Sequence, residues 1–237
     1  KANYNNVSSA KLCTTLENSH GIKVSTVEHL LAALYIAEID CAVIEIDSEE
    51  VPIMDGSAKH FLNEIKKIKV RKLQRKRKYL KILDKVELQD GKRFISIEPA
   101  EISLSVNFKL NYENKIIGNQ ENTINFEKDN LLDIADARTF CLLKDIEKIK
   151  EIGLAKGGTL ANAIVVDENK IVNESGLRSK KEFVNHKILD LVGDFLLSGY
   201  RILGRVSCNQ GGHELTNMFL RKLFNSSQSF QVFEIED

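Results

Sequence analysis

Glu182-Phe183-Val184-Asn185-His186-Lys187-Ile188-Leu189-Asp190-Leu191-Val192-Gly193-Asp194-Phe195-Leu196-Leu197-Ser198, followed at once by Gly199, reads as one long helix with a glycine stop. Val184, Ile188, Leu191, Val192 and Phe195 recur at helical spacing and give it a conventional apolar arc. Downstream, Arg201 to Ser207 reads as a strand, Gly211-Gly212 as a loop and Glu214 to Phe224 as a closing helix. Upstream, Tyr79 to Val86, Arg93 to Glu98 and Ile102 to Leu110 read as successive strands of an antiparallel sheet. Asp145 to Ile152 is a short helix and Ala163 to Val166 a strand. Nearer the start, residues 24–37 read as a helix entered through a capping box, Ser25-Thr26-Val27-Glu28. Cys41 to Asp47 alternates like a strand, Val51 to Ser57 is turn-rich, and a helix with Phe61, Leu62 and Ile65 on one face follows. Strands followed by helices in both halves predict an α+β fold in two layers, not a doubly wound parallel sheet.

The chain has 237 residues, enough for one large or two small domains, and 43% of them are apolar, ample for a core. Lys plus Arg is 34 and Asp plus Glu is 34, so a protein basic as a whole and built for nucleic acid is not expected. No apolar stretch approaches the ~18 residues that cross a bilayer, and the polar start from Lys1 has no apolar secretory core. Cys13, Cys41, Cys141 and Cys208 are scattered without a CxxC pair, which predicts reduced thiols in a cytoplasmic protein. Nine of the thirteen residues from Lys66 to Lys78 are Lys or Arg. The run reads either as a solvated linker with one charged strand edge or as a polyanion-binding patch. It marks the expected boundary between a first domain, 1–77, and a second, 78–237.

Three histidines sit where chemistry is to be expected. His186 and Asp190 are four apart on the long helix, on one face and one turn apart, and Asp194 continues the row. That spacing suits two ligands of one metal, and it equally suits the polar side of an ordinary amphipathic helix. Phe183 and Leu197 fall among these three, which argues that the face is not plain solvent. Glu28-His29 opens the earlier helix. Glu28 is either the carboxylate of the capping box or a base beside a metal, and His29 either a satisfied core histidine or a third ligand. A catalytic zinc commonly takes three such ligands, leaving room for a water that a carboxylate can deprotonate. His213, after Gly211-Gly212, lies on a loop where backbone can approach a ligand.

Placed in order, these segments resemble a known family. Val24-Ser25-Thr26-Val27-Glu28-His29-Leu30-Leu31-Ala32-Ala33-Leu34 and Val51-Pro52-Ile53-Met54-Asp55-Gly56-Ser57-Ala58 are similar to the first half of the zinc-dependent UDP-3-O-acyl-N-acetylglucosamine deacetylases of lipid A synthesis. Ala137-Arg138-Thr139-Phe140, Gly157 to Ala163, Asn173 to Arg178, Glu182 to Asp190 and Gly211-Gly212-His213 resemble the second half. The resemblance implies one Zn²⁺ per chain on His29, His186 and Asp190, with Glu28 as general base. It implies His213 as general acid or cationic stabiliser with Asp194 as its partner, and Thr139 as an aid to the oxyanion. Lys187 matches a residue near the substrate diphosphate, and Phe126 an aromatic that stacks on uracil. The implied fold is a two-domain α+β sandwich with helices between the two sheets and the site where the domains meet. A βαβ insertion, about 141–167, would form an apolar passage for the acyl chain, with Phe140, Ile146, Ile149, Leu160 and Val165 contacting substrate. The implied partner is the acylated UDP-sugar, with no nucleic acid. A monomer in the cytoplasm of a Gram-negative-type bacterium is expected, near a membrane only through that substrate. The segment that usually precedes these motifs has no counterpart before Lys1, so a short first sheet is expected. Gln210 stands where the family often has Lys, and Cys141 where it has Gly.

Overall fold

The computed structural model describes residues 1–100, 103–151 and 157–235. In chain order it runs β1 (Val7–Ser9), β2 (Thr15–Glu17), β3 (Lys23–Val24), α1 (Glu28–Ile36), α2 (Lys59–Lys67), β4 (Arg77–Ile82), β5 (Val86–Asp90) and β6 (Arg93–Pro99). It continues through β7 (Leu104–Asn111), β8 (Asn119–Asn125), α3 (Leu132–Ala135), β9 (Phe140–Leu142), α4 (Ile146–Glu151), β10 (Ile164–Val166), α5 (Glu182–Leu196), β11 (Arg201–Asn209), α6 (His213–Asn225) and β12 (Phe230–Ile235).

β1, β2 and β3 form a three-stranded antiparallel sheet, and β4 to β8 with β11 and β12 form a seven-stranded mixed one. β11 is its spine. Its first three residues run parallel to β4, and Gly204 to Asn209 lie between antiparallel β6 and parallel β7. The helices lie between the sheets. On one side Leu16 of β2 packs with Val27, Leu31, Val51 and Leu197. On the other, Phe183, Ile188, Val192 and Phe195 of α5 join Val106, Phe108, Ile202 and Val206 of the large sheet. Of α5, only Lys187 and Leu196 are not buried, so the row His186, Asp190, Asp194 lies inside the protein. This is the α+β class the element order predicts.

α1 and α5 cross closely. A Cβ on Gly193 would lie 2.2 Å from the carbonyl oxygen of Glu28 and 3.2 Å from the backbone nitrogen of Ala32. With Ala32 and Ala33 fully buried beside it, this crossing is backbone against backbone.

Several sequence expectations need correction. The α1 entrance is not a capping box: Ser25 N–H donates to Glu49 O at 2.9 Å, and the N-cap, Val27, has no side-chain acceptor. Thr26 takes φ +59 to turn the chain into the helix, held by its hydroxyl on Glu50. Residues 41–47 form no strand, and the chain returns to the small sheet only at Glu50, which bridges Ser25 just past β3. Val43 is 91% exposed as a result. Tyr79 to Val86 is not one strand. Leu83 and Asp84 both donate to Ser229 O and turn the chain, so β4 and β5 lie at different places in the sheet. Ile102 and Ile152, included in the predicted strand and helix, lie outside the described residues. β9, α4 and β10 form a parallel βαβ unit within the expected insertion.

Candidate active site

α5 carries His186, Asp190 and Asp194 on one buried face, and α1 brings Glu28 and His29 against it at the Gly193 crossing. His29, His186 and Asp190 converge, each offering a ligand atom within 4.8 Å of the others. Asp190 Oδ1 lies 3.3 Å from His186 Nε2 and 3.5 Å from His29 Nε2, and it is buried with no hydrogen-bond partner. An orphaned carboxylate oxygen facing two imidazole nitrogens is expensive unless a cation completes it. Two histidines and one aspartate are a common catalytic zinc set.

Two of these three groups are held in the state that a metal would need. His186 Nδ1 donates to Ala137 O at 3.0 Å, which leaves Nε2 with its lone pair toward Asp190. Burial pushes the His186 pKa down to about 3, so the ring is neutral and free to coordinate. Burial alone would raise the Asp190 carboxyl. The adjacent His186 ring and the cations of Lys187 and His213 nevertheless hold it well below the usual range.

A second group of charges sits one turn further along α5. His213, at the start of α6, has its Nδ1 2.8 Å from Asp194 Oδ2 and its Nε2 3.7 Å from Glu28 Oε1. Burial works against the imidazolium, yet Asp194, Glu28 and Asp190 together raise the His213 pKa to about 10. With Nδ1 committed to Asp194, the protonated ring presents Nε2–H toward Glu28 and Asp190. Burial raises the Glu28 pKa, His213 and His29 partly offsetting it, so this carboxylate is a stronger base than one in water. In an assay where His213 must be protonated, activity falls as pH rises through its pKa. Asp194→Asn removes one of the anions supporting the imidazolium, so the basic limb of the pH–rate profile is expected at lower pH than in the wild type. An unmoved limb would assign it to another group.

The motif residues that are not ligands hold this arrangement together. Thr139 N–H donates to Gly56 O at 2.7 Å, and Ile164 N–H donates to Thr139 O. Gly56 has φ +84, and a Cβ there would lie 2.2 Å from Asn162 O, so the turn admits only glycine. Arg138 is buried with Glu182, Nε to Oε1 2.8 Å, and donates to Gly176 O. Arg178 reaches Asp55 and Asp136. Together they brace residues 137–139, whose Ala137 carbonyl orients His186.

Other predicted site residues fall differently. Thr139 is half-buried on this braced segment, two residues beyond Ala137. Lys187, which the resemblance puts near a diphosphate, here contacts Asp190 and Phe140. Its ammonium lies 2.7 Å from Asp190 Oδ2 and over the Phe140 ring, because the buried carboxylate is its nearest counter-charge. Phe126 packs edge-on against Tyr35, at the end of α1 away from His29. Tyr112 lines an opening of about 320 Å³ with Asn111, Leu142, Lys144, Gln210 and Gly211. It adjoins the Gly211-Gly212-His213 turn. In the insertion, Ile146 and Ile149 are half-buried one turn apart, and Leu160 is exposed. Val165 is buried on the face of β10 opposite Ile164 and Val166, which belong to the main core. Thr14, which bonds both Glu28 and Asp194, and Tyr112 were not singled out by sequence.

The UDP-3-O-acyl N-acetylglycosamine deacetylase (LpxC) family model matches residues 1–225. The chain belongs to this family. It is 41% identical over 227 residues to the UDP-3-O-acyl-N-acetylglucosamine deacetylase of Nautilia profundicola, covering 95% of this chain and 76% of that one. The enzyme of the same name from Geotalea uraniireducens is 39% identical, covering 99% and 76%. That from Campylobacter jejuni serotype O:23/36 is 37% identical, covering 100% and 80%. Family membership favours the deacetylase reading over a polyanion-binding module. In the basic run itself, Lys67 pairs with Glu64 and Arg77 with Asp40. Among the described residues no helix is long and apolar enough to cross a membrane.

Proposed function

We propose that this protein is a zinc-dependent deacetylase that removes the N-acetyl group from UDP-3-O-acyl-N-acetylglucosamine, the committed step of lipid A synthesis, in the cytoplasm. The observation that carries the reading is the His29–His186–Asp190 cluster, with its orphaned Asp190 oxygen, set against Glu28 and the His213–Asp194 pair. Two imidazoles and a carboxylate suit zinc better than magnesium or calcium, which take oxygen ligands. When bound, zinc polarises the amide carbonyl and makes the attacking water more acidic. Glu28 takes the proton from that water through Oε1, since Oε2 already accepts from Thr14 N–H. His213 gives its Nε2 proton to the leaving amine, while Asp194 holds the ring and its charge. Thr139 assists the developing oxyanion.

On this reading the site lies where the segment before residue 78 meets the sheet after it, Glu28 and His29 coming from the first and the other groups from the second. The cavity beside Gly211 supports a uridine subsite with Tyr112 as the stacking ring. Lys144 there supplies the cation that Gln210 cannot. Gln210 is committed elsewhere, donating to Asn111 O at 2.7 Å. The half-buried Ile146 and Ile149 with Val165 support an acyl passage along the βαβ unit.

The test is acetate release from the acylated UDP-sugar and from UDP-N-acetylglucosamine, by the wild type and by Ile149→Lys. Each buried methylene is worth about 0.8 kcal/mol, and binding energy from the chain can be realised at the amide. The acylated substrate is therefore expected to turn over faster, and Ile149→Lys to penalise it selectively. No release from either substrate overturns the function. Equal release from both returns the insertion to a purely structural role.

A further inference from the structure

Thr14 is the residue on which the two halves of the acid–base machinery meet. It precedes β2 and is 2% exposed. Its N–H donates to Glu28 Oε2 at 3.0 Å and its hydroxyl donates to Asp194 Oδ1 at 2.6 Å. Its carbonyl accepts from Val27 N–H, the residue that opens α1. Each of these two carboxylates thus has one oxygen on Thr14 and the other toward His213: Asp194 Oδ2 at 2.8 Å from Nδ1, and Glu28 Oε1 at 3.7 Å from Nε2. The four residues close a ring. The contacts cross 14 residues of sequence to Glu28 and 180 to Asp194, so the ring joins the small sheet to both central helices.

We propose that Thr14 is a positioning residue for the hydrolysis, one that fixes which oxygen of Glu28 and which oxygen of Asp194 face His213. A carboxylate with no second partner can rotate about its last bond and present either oxygen. Binding one oxygen leaves the other aimed, which is how an outer partner orients a reacting group. The hydroxyl can donate one hydrogen bond, and it donates it to Asp194. That carboxylate therefore keeps Oδ2 for the ring through the catalytic cycle. The inference rests on the reading of Glu28 and His213 as base and acid, and it concerns geometry, not their titration.

The experiment compares Thr14→Val, which keeps the shape and the N–H to Glu28 but removes the hydroxyl, with Thr14→Ser, which keeps the hydroxyl. Both are examined as zinc-loaded protein. Thr14→Val is expected to lower kcat about 10- to 100-fold, the scale of one buried hydrogen bond to a charged group, with KM and bound zinc little changed. Thr14→Ser is expected to restore kcat to within about threefold of the wild type, and in an Asp194→Asn background the Thr14→Val loss should shrink. A second readout needs no substrate. The ring Nδ1–H proton of His213, seen by NMR in the zinc protein, should move in Thr14→Val and return in Thr14→Ser. Wild-type turnover in Thr14→Val, a serine variant as impaired as the valine one, or an unmoved His213 resonance each overturns the proposal. If the wild type releases no acetate but the resonance still moves and returns, the deacetylase reading fails and with it the role in hydrolysis, while the hold of Thr14 on the Asp194–His213 pair stands.

Discussion

His186→Ala and Asp190→Asn should each lose zinc and deacetylase activity together. In the proposed site His186 would supply Nε2 from a ring locked by the Ala137 carbonyl, and Asp190 the buried oxygen that no other group satisfies. Removing only an outer partner of a metal ligand typically costs 10–100-fold in metal affinity, so removing a ligand should cost more than about 100-fold. Asp190→Asn has a further cost, since it leaves the Lys187 ammonium beside a neutral amide where it had a carboxylate at 2.7 Å. Metal analysis of dialysed protein alongside turnover decides the matter. Stoichiometric zinc in either variant would take that residue out of the ligand set.

Glu28→Gln is expected to separate chemistry from architecture. The amide oxygen of the new side chain can still accept from Thr14 N–H, so α1 and the metal cluster should persist with full zinc content. Turnover should nevertheless fall by about 10²–10⁴, the usual contribution of a general base. The substitution also removes one of the carboxylates that raise His213, so the basic limb of whatever activity remains should lie at lower pH. If Glu28 were only structural, the variant would turn over normally and show its effect as a lower melting temperature.

The helix period was legible wherever burial follows one face. Glu182 to Ser198 is the clearest case, and the aromatic and aliphatic residues among its polar row correctly signalled a buried His186, Asp190 and Asp194. β8 and β12 were missed for a physical reason. β8 reads Asn-Gln-Glu-Asn-Thr-Ile-Asn, with only Ile124 buried, and it is a strand because β7 offers seven paired positions. Cys41 to Asp47 is the converse: it has the alternation of a strand and forms no ladder. Local pattern gives a segment its faces, and only the tertiary neighbour decides whether a ladder forms.

The site shows the same division. His186, Asp190 and Asp194 share a helix, so their spacing was readable. The partnership with Glu28, His29 and His213 crosses the fold, so spacing could raise it for Glu28 and His29 but only resemblance joined all three. Thr14 carries no signal, being one of two adjacent threonines that differ only in which one faces inward. Phe126 and Tyr112 flank the same hairpin at opposite ends, and sequence order does not tell which ring meets a cavity.

Gly193 gives the site an economy of geometry. Glu28 and His29 are neighbours on α1, so the proposed base and one proposed ligand move as a unit. His186, Asp190 and Asp194 are fixed by the pitch of α5, and His213 is tied to that helix through Asp194. The one variable left is the separation of the two rods, and at Gly193 it is set by a hydrogen atom facing the Glu28 carbonyl. The reacting groups therefore form a mechanism with a single adjustable gap. A methyl group in that gap, far less reactive than anything in the site, would shift base and ligand together against everything on the other helix.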